Sequence, residues 1–232
     1  LKLYTKVTVV AIHQPNYVPW LGYFYKIANT EIFILLNDAE FSKNSYINRN
    51  RIKTQRGAHW LTVPVNANST SSINEVRIAS MIWNKKHVKT LKSAYGKAPF
   101  FKTVFPWFED LLTTAQFDFL SELNIHIIKK ICNKMELIPK FKISSDYNVK
   151  SKRDDRLIAL VKGVGGTHYL SGYGGLKYQN SEKFEKKGID IHYYNYQAPV
   201  YDQLWGAFTP NLSILDLLFN IGFESTSALL KQ

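Results

Sequence analysis

The stretch His13-Gln14-Pro15-Asn16-Tyr17-Val18-Pro19-Trp20-Leu21-Gly22-Tyr23-Phe24 sets the fold class of this chain. It follows an apolar, β-branched run, Val7–Ile12, with the length of a buried strand, and leads into Leu21–Asn29, which reads as a helix. A histidine, an amide, two prolines and an aromatic cluster therefore stand where a first strand hands over to a first helix. In open α/β sheets, ligands bind outside the carboxyl ends of the strands. The segment reads as one wall of a pocket. The alternative is a rigid βα turn in which Tyr17 and Trp20 cap the core.

Working outward, Glu31–Leu36 is a second buried strand, Arg56-Gly57 a turn and His59–Val65 an alternating strand. Asn66–Ile73 is a polar surface loop, and Glu75–Ala79 a short strand. The middle turns helical: Asn84–Tyr95 stopped by Gly96, Phe101–Leu112 interrupted or restarted at Pro106, and Phe117–Lys134. The pattern then returns to α/β, with strands at Phe141–Ser144, Thr167–Leu170 and Ile189–Tyr194. Helices are expected over Arg153–Val164 (Ser151 as candidate cap), Ser181–Lys187 and Leu212–Phe219. One domain over 1–232 follows, with α/β parts at 1–80 and 140–232 and a helical insert at about 81–139 that forms a lobe or lid.

Charge narrows the partners. Thirty basic residues against 18 acidic give a net charge of +12, which favours anionic partners: phosphates, nucleotide-linked sugars, nucleic acid or an anionic membrane face. The basic residues are spread out, no basic amphipathic helix stands out, and no zinc-finger or RNA-recognition signature appears. No apolar run approaches the roughly 20 residues a membrane span needs. Leu1–Lys6 carries no h-region, so a cytoplasmic protein is expected. The single cysteine, Cys132, sits among isoleucines and reads as core.

Three segments carry candidate chemistry. In the first, His13 is the attractive histidine, since a strand-end imidazole serves as acid/base or hydrogen-bond donor. The other five have no metal spacing, and no zinc site is expected. In the second, Ser171-Gly172-Tyr173-Gly174-Gly175-Leu176-Lys177, glycines let backbone amides approach phosphate oxygens while Lys177 supplies charge. The alternative there is a flexible turn. In the third, Asn44–Arg51, Arg49 and Arg51 share one face of an extended segment and Asn48 and Asn50 the other. Forked donors suit phosphate or carboxylate; the alternative is a polar edge strand. Asp38 and Glu40, after the second strand, are candidates for a sugar hydroxyl, an amine or Mg²⁺ carried by substrate phosphates, unless they pair with Lys43 or Arg49. Asp154 and Asp155 read as helix-start charges.

These blocks, with Asn37–Lys53, Trp60–Val65, Tyr169–Gly172 and Phe208–Gly222, resemble the WbqC-like family of bacterial surface-polysaccharide (O-antigen) biosynthesis clusters. The resemblance runs from residue 12 to 222. Ala198-Pro199 departs from it, since members tend to carry a histidine before that proline. It implies a transferase, of glycine or another acyl group, onto a nucleotide-linked amino sugar. In that scheme His13, Asn16 and Asp38 are catalytic. Gln14, Tyr17, Trp20, Asn48, Arg49, Arg51, Ser171, Gly172, Gly174 and Lys177 bind substrate and phosphate. The β-α-β opening is also similar to nucleotidyltransferases, although Val18-Pro19-Trp20-Leu21 replaces their His-x-Gly-His. The expected fold is thus α/β with a mostly parallel, nucleotidyltransferase- or Rossmann-like sheet. The alternatives to the transferase are a nucleotidyltransferase-like enzyme using ATP or CTP with Mg²⁺, and a non-catalytic module that binds an anionic carrier or tRNA.

Overall fold

Five short strands, β1 (Val9–His13), β2 (Ile32–Leu35), β7 (Lys140–Ile143), β8 (His168–Gly172) and β9 (Asp190–Tyr194), form one sheet in the order β7-β2-β1-β8-β9. Every pairing is parallel. The computed structural model describes residues 7–68, 70–80, 82–114 and 116–230. Leu1–Lys6, read above for a leader, and Ser69 of the polar loop lie outside them. Among the described residues no helix is long and apolar enough to cross a membrane.

Burial on both faces explains the β-branched runs of the inner strands. Val10, Ile12, Ile32 and Ile34 pack on one face with Ile158, Leu160, Val161 and Phe184, from helices α5 (Arg153–Gly163) and α6 (Ser181–Glu185). Ala11, Phe33 and Leu35 pack on the other, against helix α1 (Leu21–Ala28) and a larger core. That core includes α2 (Ile82–Tyr95), α3 (Phe101–Thr113), α4 (Leu120–Lys134) and α7 (Ile214–Leu229). The helical segment between β2 and β7 is thus a lobe continuous with the sheet's own core. Two antiparallel ribbons lie outside the sheet: β3 (Arg49–Thr54) with β4 (Gly57–Thr62), and β5 (Val65–Asn66) with β6 (Arg77–Ile78).

Several boundaries differ from the periodicity. Pro106 does not interrupt α3. It is exposed, and the lost N–H affects only the exposed Lys102 carbonyl side while Val104, Phe105 and Phe108 stay buried. Helix α4 starts at Leu120, because Asp118 and Leu120 instead bond to β6 and its neighbour (Ile78 N to Asp118 O, 2.8 Å; Leu120 N to Val76 O, 2.9 Å). Ser151 does not cap α5; Lys152 occupies the N-cap and makes no side-chain cap bond. Helix α7 runs ten residues past Phe219, through a kink at Gly222 (φ 80°) where any Cβ would meet the Phe100 ring at 2.7 Å.

The βα turn after β1 is held from outside. Val18 has φ 35°, an unfavourable region for a β-branched residue. Its carbonyl accepts Asn50 Nδ2 and Ser213 Oγ, each at 2.8 Å, and Ile214 N donates to Pro19 O at 2.8 Å. Nearby, the buried Asp216 carboxylate accepts Tyr95 Oη (2.6 Å) and Tyr201 Oη (2.7 Å). Lys53 Nζ donates to Ala207 O, Gly206 O and Gln203 Oε1. Asn50→Ala and Ser213→Ala are each expected to cost about 1–3 kcal/mol of unfolding free energy. The double variant should lose more than the sum, because it leaves the Val18 oxygen with neither side-chain donor; urea unfolding of the three variants checks both.

Candidate functional site: a cleft at the switch point

The chain leaves β1 for β2 and β7 on one side and returns to β8 and β9 on the other. The order in which strands are added therefore reverses between the parallel neighbours β1 and β8, and a crevice opens outside their carboxyl ends. A cleft of about 590 Å³ occupies this place. From β1 and its turn it takes Ile12, His13, Gln14 and Trp20; from β8 and the Gly-rich segment, Tyr169, Ser171, Gly172, Tyr173, Gly174 and Gly175. Tyr178, Gln179 and the strip Tyr194-Asn195-Tyr196 complete that wall, and Lys26 of α1 lines the cleft as well.

His13 lies at the wall with Nδ1 3.1 Å from Gln14 O and its ring edge-on to Tyr23. A carbonyl only accepts, so the proton sits on Nδ1 and Nε2 keeps its lone pair. Burial, then the neighbouring Lys26 charge, push the imidazole down to about 3 against the Gln14 hydrogen bond. At neutral pH His13 is thus an uncharged ring that keeps its Nδ1 proton and whose Nε2 accepts without staying protonated. Trp20 packs edge-on against Tyr196 (5.5 Å between centroids), and Tyr25 meets both Tyr194 and Tyr196. The Trp20 indole lies over Gly22, where a Cβ would come within 2.3 Å of it. Tyr194 Oη donates to Gly22 O (3.0 Å), so the two walls are joined across the crevice. Opposite, Ser171 Oγ donates to Gln179 Oε1 (2.8 Å), closing the Gly-rich segment into a strap that includes the 3-10 turn Tyr173–Lys177.

The residues singled out in the sequence divide into two groups. His13, Gln14, Trp20, Ser171, Gly172 and Gly174 line the cleft. Lys177 is exposed and outside the lining, and no residue of α2–α4 lines it either. Asn16 is buried behind the turn. Tyr17 is fully buried with its hydroxyl 2.9 Å from His87 Nδ1, a core contact far from any stacking role. Asn48 and Asn50 are buried, and Asn48 Nδ2 donates to Val63 O (3.1 Å). On the opposite face Arg49 and Arg51 lie over the Trp60 ring, at 4.2 and 5.7 Å from its centroid. Asp38 pairs neither with Lys43 nor with Arg49; Arg156 takes it at 2.6 Å, alongside Ser144 Oγ. The lining contains no Asp or Glu. Mg²⁺ entering with nucleotide phosphates would find no carboxylate ligand there, so these residues do not fit a protein-held magnesium. Asp154 holds Asn180 N (3.0 Å), which ties α5 to the start of α6.

Lys26, Gln179 and the Tyr194–Tyr196 strip were not legible as site residues. One signal pointed to Lys26: it falls three and four residues after Tyr23 and Gly22, on the buried face of an otherwise apolar helix.

Fold and topology define a Rossmann-like α/β protein with a crevice at the switch point of its parallel sheet. This chain belongs to the WbqC-like protein family, whose model matches residues 14–228. It is 36% identical over 219 residues to "Uncharacterized protein Rv1507c" of Mycobacterium tuberculosis (strain ATCC 25618 / H37Rv), covering 93% of this chain and 95% of that one. No solved structure matches the chain.

The site costs stability. Burial pushes the Lys26 amine from 10.5 down to about 7, so between these values the unfolded chain binds a proton that the folded chain does not. Its destabilising effect is absent above about pH 10.5, grows as pH falls and is complete below about 7. Lys26→Met is expected to raise stability at neutral pH by about 2–4 kcal/mol and to flatten the rise in stability from neutral to alkaline pH. Thermal unfolding across that range checks this.

Proposed function

We propose that the switch-point cleft binds a nucleotide-linked amino sugar and that the protein transfers an acyl or aminoacyl group, glycine being the simplest, to the sugar amine. The observation that carries this reading is the composition of the cleft. Trp20 on the β1 side, Tyr194 and Tyr196 on the β8–β9 side and a Gly-rich strap line one crevice together with a neutral histidine. Aromatic faces stack on a base or a sugar, and the strap's backbone amides suit phosphate oxygens. His13 Nε2 accepts a hydrogen bond from the substrate amine, keeping its lone pair aimed at the acyl carbon. The new C–N bond forms as the bond to the donor's leaving group breaks, and the amine proton leaves with that group. Catalysis then rests on positioning and charge stabilisation.

Calorimetric titration with UDP- and dTDP-linked amino sugars tests this. Binding is expected, with Trp20→Ala weakening it by about 10- to 100-fold. Gly22→Ala should weaken it too, by displacing the indole. His13→Ala should slow transfer while leaving affinity within about twofold. Binding of free ATP or CTP with pyrophosphate release, and none of the amino sugars, would replace this reading with nucleotidyl transfer.

A second observation favours an anionic carrier as an additional partner. Helix α2 carries Lys85, Lys86, Lys89 and Lys92 on one exposed face, a basic helix that did not stand out in the sequence. Among the described residues none of the four is in an ion pair. The adjacent cleft of about 520 Å³ adds Arg56 and His59 from the hairpin. An aminoacyl-tRNA donor would suit this face, and its binding would weaken steeply with salt.

A further inference from the structure

Lys26 is 3% exposed and yet lines the cleft. Its Nζ donates to Ile12 O at 2.8 Å, at the end of β1, and makes no other hydrogen bond or ion pair among the described residues. An ammonium has three N–H donors, so two are left for whatever enters the crevice. It is the single Lys or Arg of the lining, and the lining offers it no carboxylate. The titratable groups that share the cleft are His13 from β1, Tyr169 from β8, Tyr173 and Tyr178 from the strap, and Tyr194 and Tyr196 from β9 and beyond. Burial raises the Tyr169, Tyr194 and Tyr196 phenols and leaves His13 neutral, so these four bring no negative charge at neutral pH. A methionine would fill the same volume without burying a poorly satisfied amine, which is unfavourable. A purely structural role does not account for a lysine here.

We propose that Lys26 is the charge anchor of the cleft: its ammonium, hung from the Ile12 carbonyl, receives an anionic oxygen of the ligand, a phosphate or carboxylate oxygen for which the cleft supplies no other cationic side chain. This rests on the reading of the crevice as the ligand site. It moves the anion-holding role away from Arg49, Arg51 and Lys177, which the fold places outside the crevice. An arriving anion stabilises the charged amine, so the ligand and a proton enter together. With the free amine pushed down to about 7, anion affinity should fall by about tenfold per pH unit above neutrality. That decline would end where the bound form itself loses its proton.

The amine can be observed directly. The full chain is produced with 13C,15N-labelled lysine, and the Cε and Nζ shifts of Lys26 are followed by NMR through a pH titration, which leaves the amine's three N–H donors intact. The titration is run alone, with inorganic pyrophosphate, and with acetate. The resonance is assigned by its loss in Lys26→Arg or, should that variant not fold, in Lys26→Gln. Pyrophosphate is expected to raise the Lys26 midpoint by about one unit, a tenfold preference for the charged form, while the exposed lysines do not move. A shift with pyrophosphate names a phosphate as the anion, and a shift with acetate alone names a carboxylate. A Lys26 midpoint unmoved by both anions overturns the proposal. The two readings separate cleanly. If pyrophosphate moves Lys26 but no amino sugar nucleotide binds, the anchor stands without the transferase. If such a ligand binds Lys26→Gln as tightly as the parent protein, the transferase stands without the anchor.

Discussion

The carbonyl of Val18 takes donors from two distant parts of the chain, Asn50 in the first ribbon and Ser213 at the start of the last helix. Those two bonds hold a β-branched residue at positive φ between two prolines, a conformation the turn would not keep alone. Everything placed by the turn depends on them: His13 and Gln14 on one side, Trp20 and the entry to α1 on the other. The long-range bonds also fasten the ribbon and α7 to the sheet, so the helical lobe and the α/β layer share one core. Much of the family resemblance converges here. Residues 12–24, 37–53 and 208–222 meet around this oxygen and the neighbouring Asp216–Tyr95–Tyr201 cluster, which identifies many of those residues as architectural.

That convergence explains which parts of the site were legible in the sequence. A strand followed by a His/Pro/aromatic turn announces the carboxyl edge of a parallel sheet, and a second strand followed by glycines announces the facing edge. Neither inference needs long-range information. Arg49 and Arg51 alternate with buried amides as any extended strand requires, but only the tertiary fold reveals that their strand packs away from the crevice, with Trp60 beneath the guanidinium groups. Tyr17 and Trp20 are three residues apart, and the strained turn between them sends one into the core and the other to the cleft. Lys26 was obscured by the opposite effect. Lysines on short helices are nearly always solvated, and only the depth of α1 against β1 shows that this one is not.

Charge in this protein is distributed in two regimes. The excess that gives +12 is mostly solvent-exposed, acts over a Debye length and is screened by salt. The cleft contains one amine and one imidazole, both driven towards neutrality by burial, with His13 also feeling the amine's charge. Groups so placed make a weak field at rest and a strong one once an anion arrives, because the same low dielectric that discourages a lone charge strengthens a pair. The surface charge is spread and carries no shape, whereas an anion entering the crevice as proposed would meet a single buried amine.

The phenol of Tyr194, bonded to the Gly22 carbonyl, has a geometric consequence for selection. At that point the distance between the walls is fixed by the length of one tyrosine side chain, and the indole above Gly22 has no room to sink. The strap is held differently, by the Ser171–Gln179 side-chain bond and by the Tyr178 and Gln179 amides, which both donate to the Gly175 carbonyl. One end of the crevice is therefore gauged by a single side chain and the other by a folded backbone turn, and a ligand of the kind proposed would have to fit both.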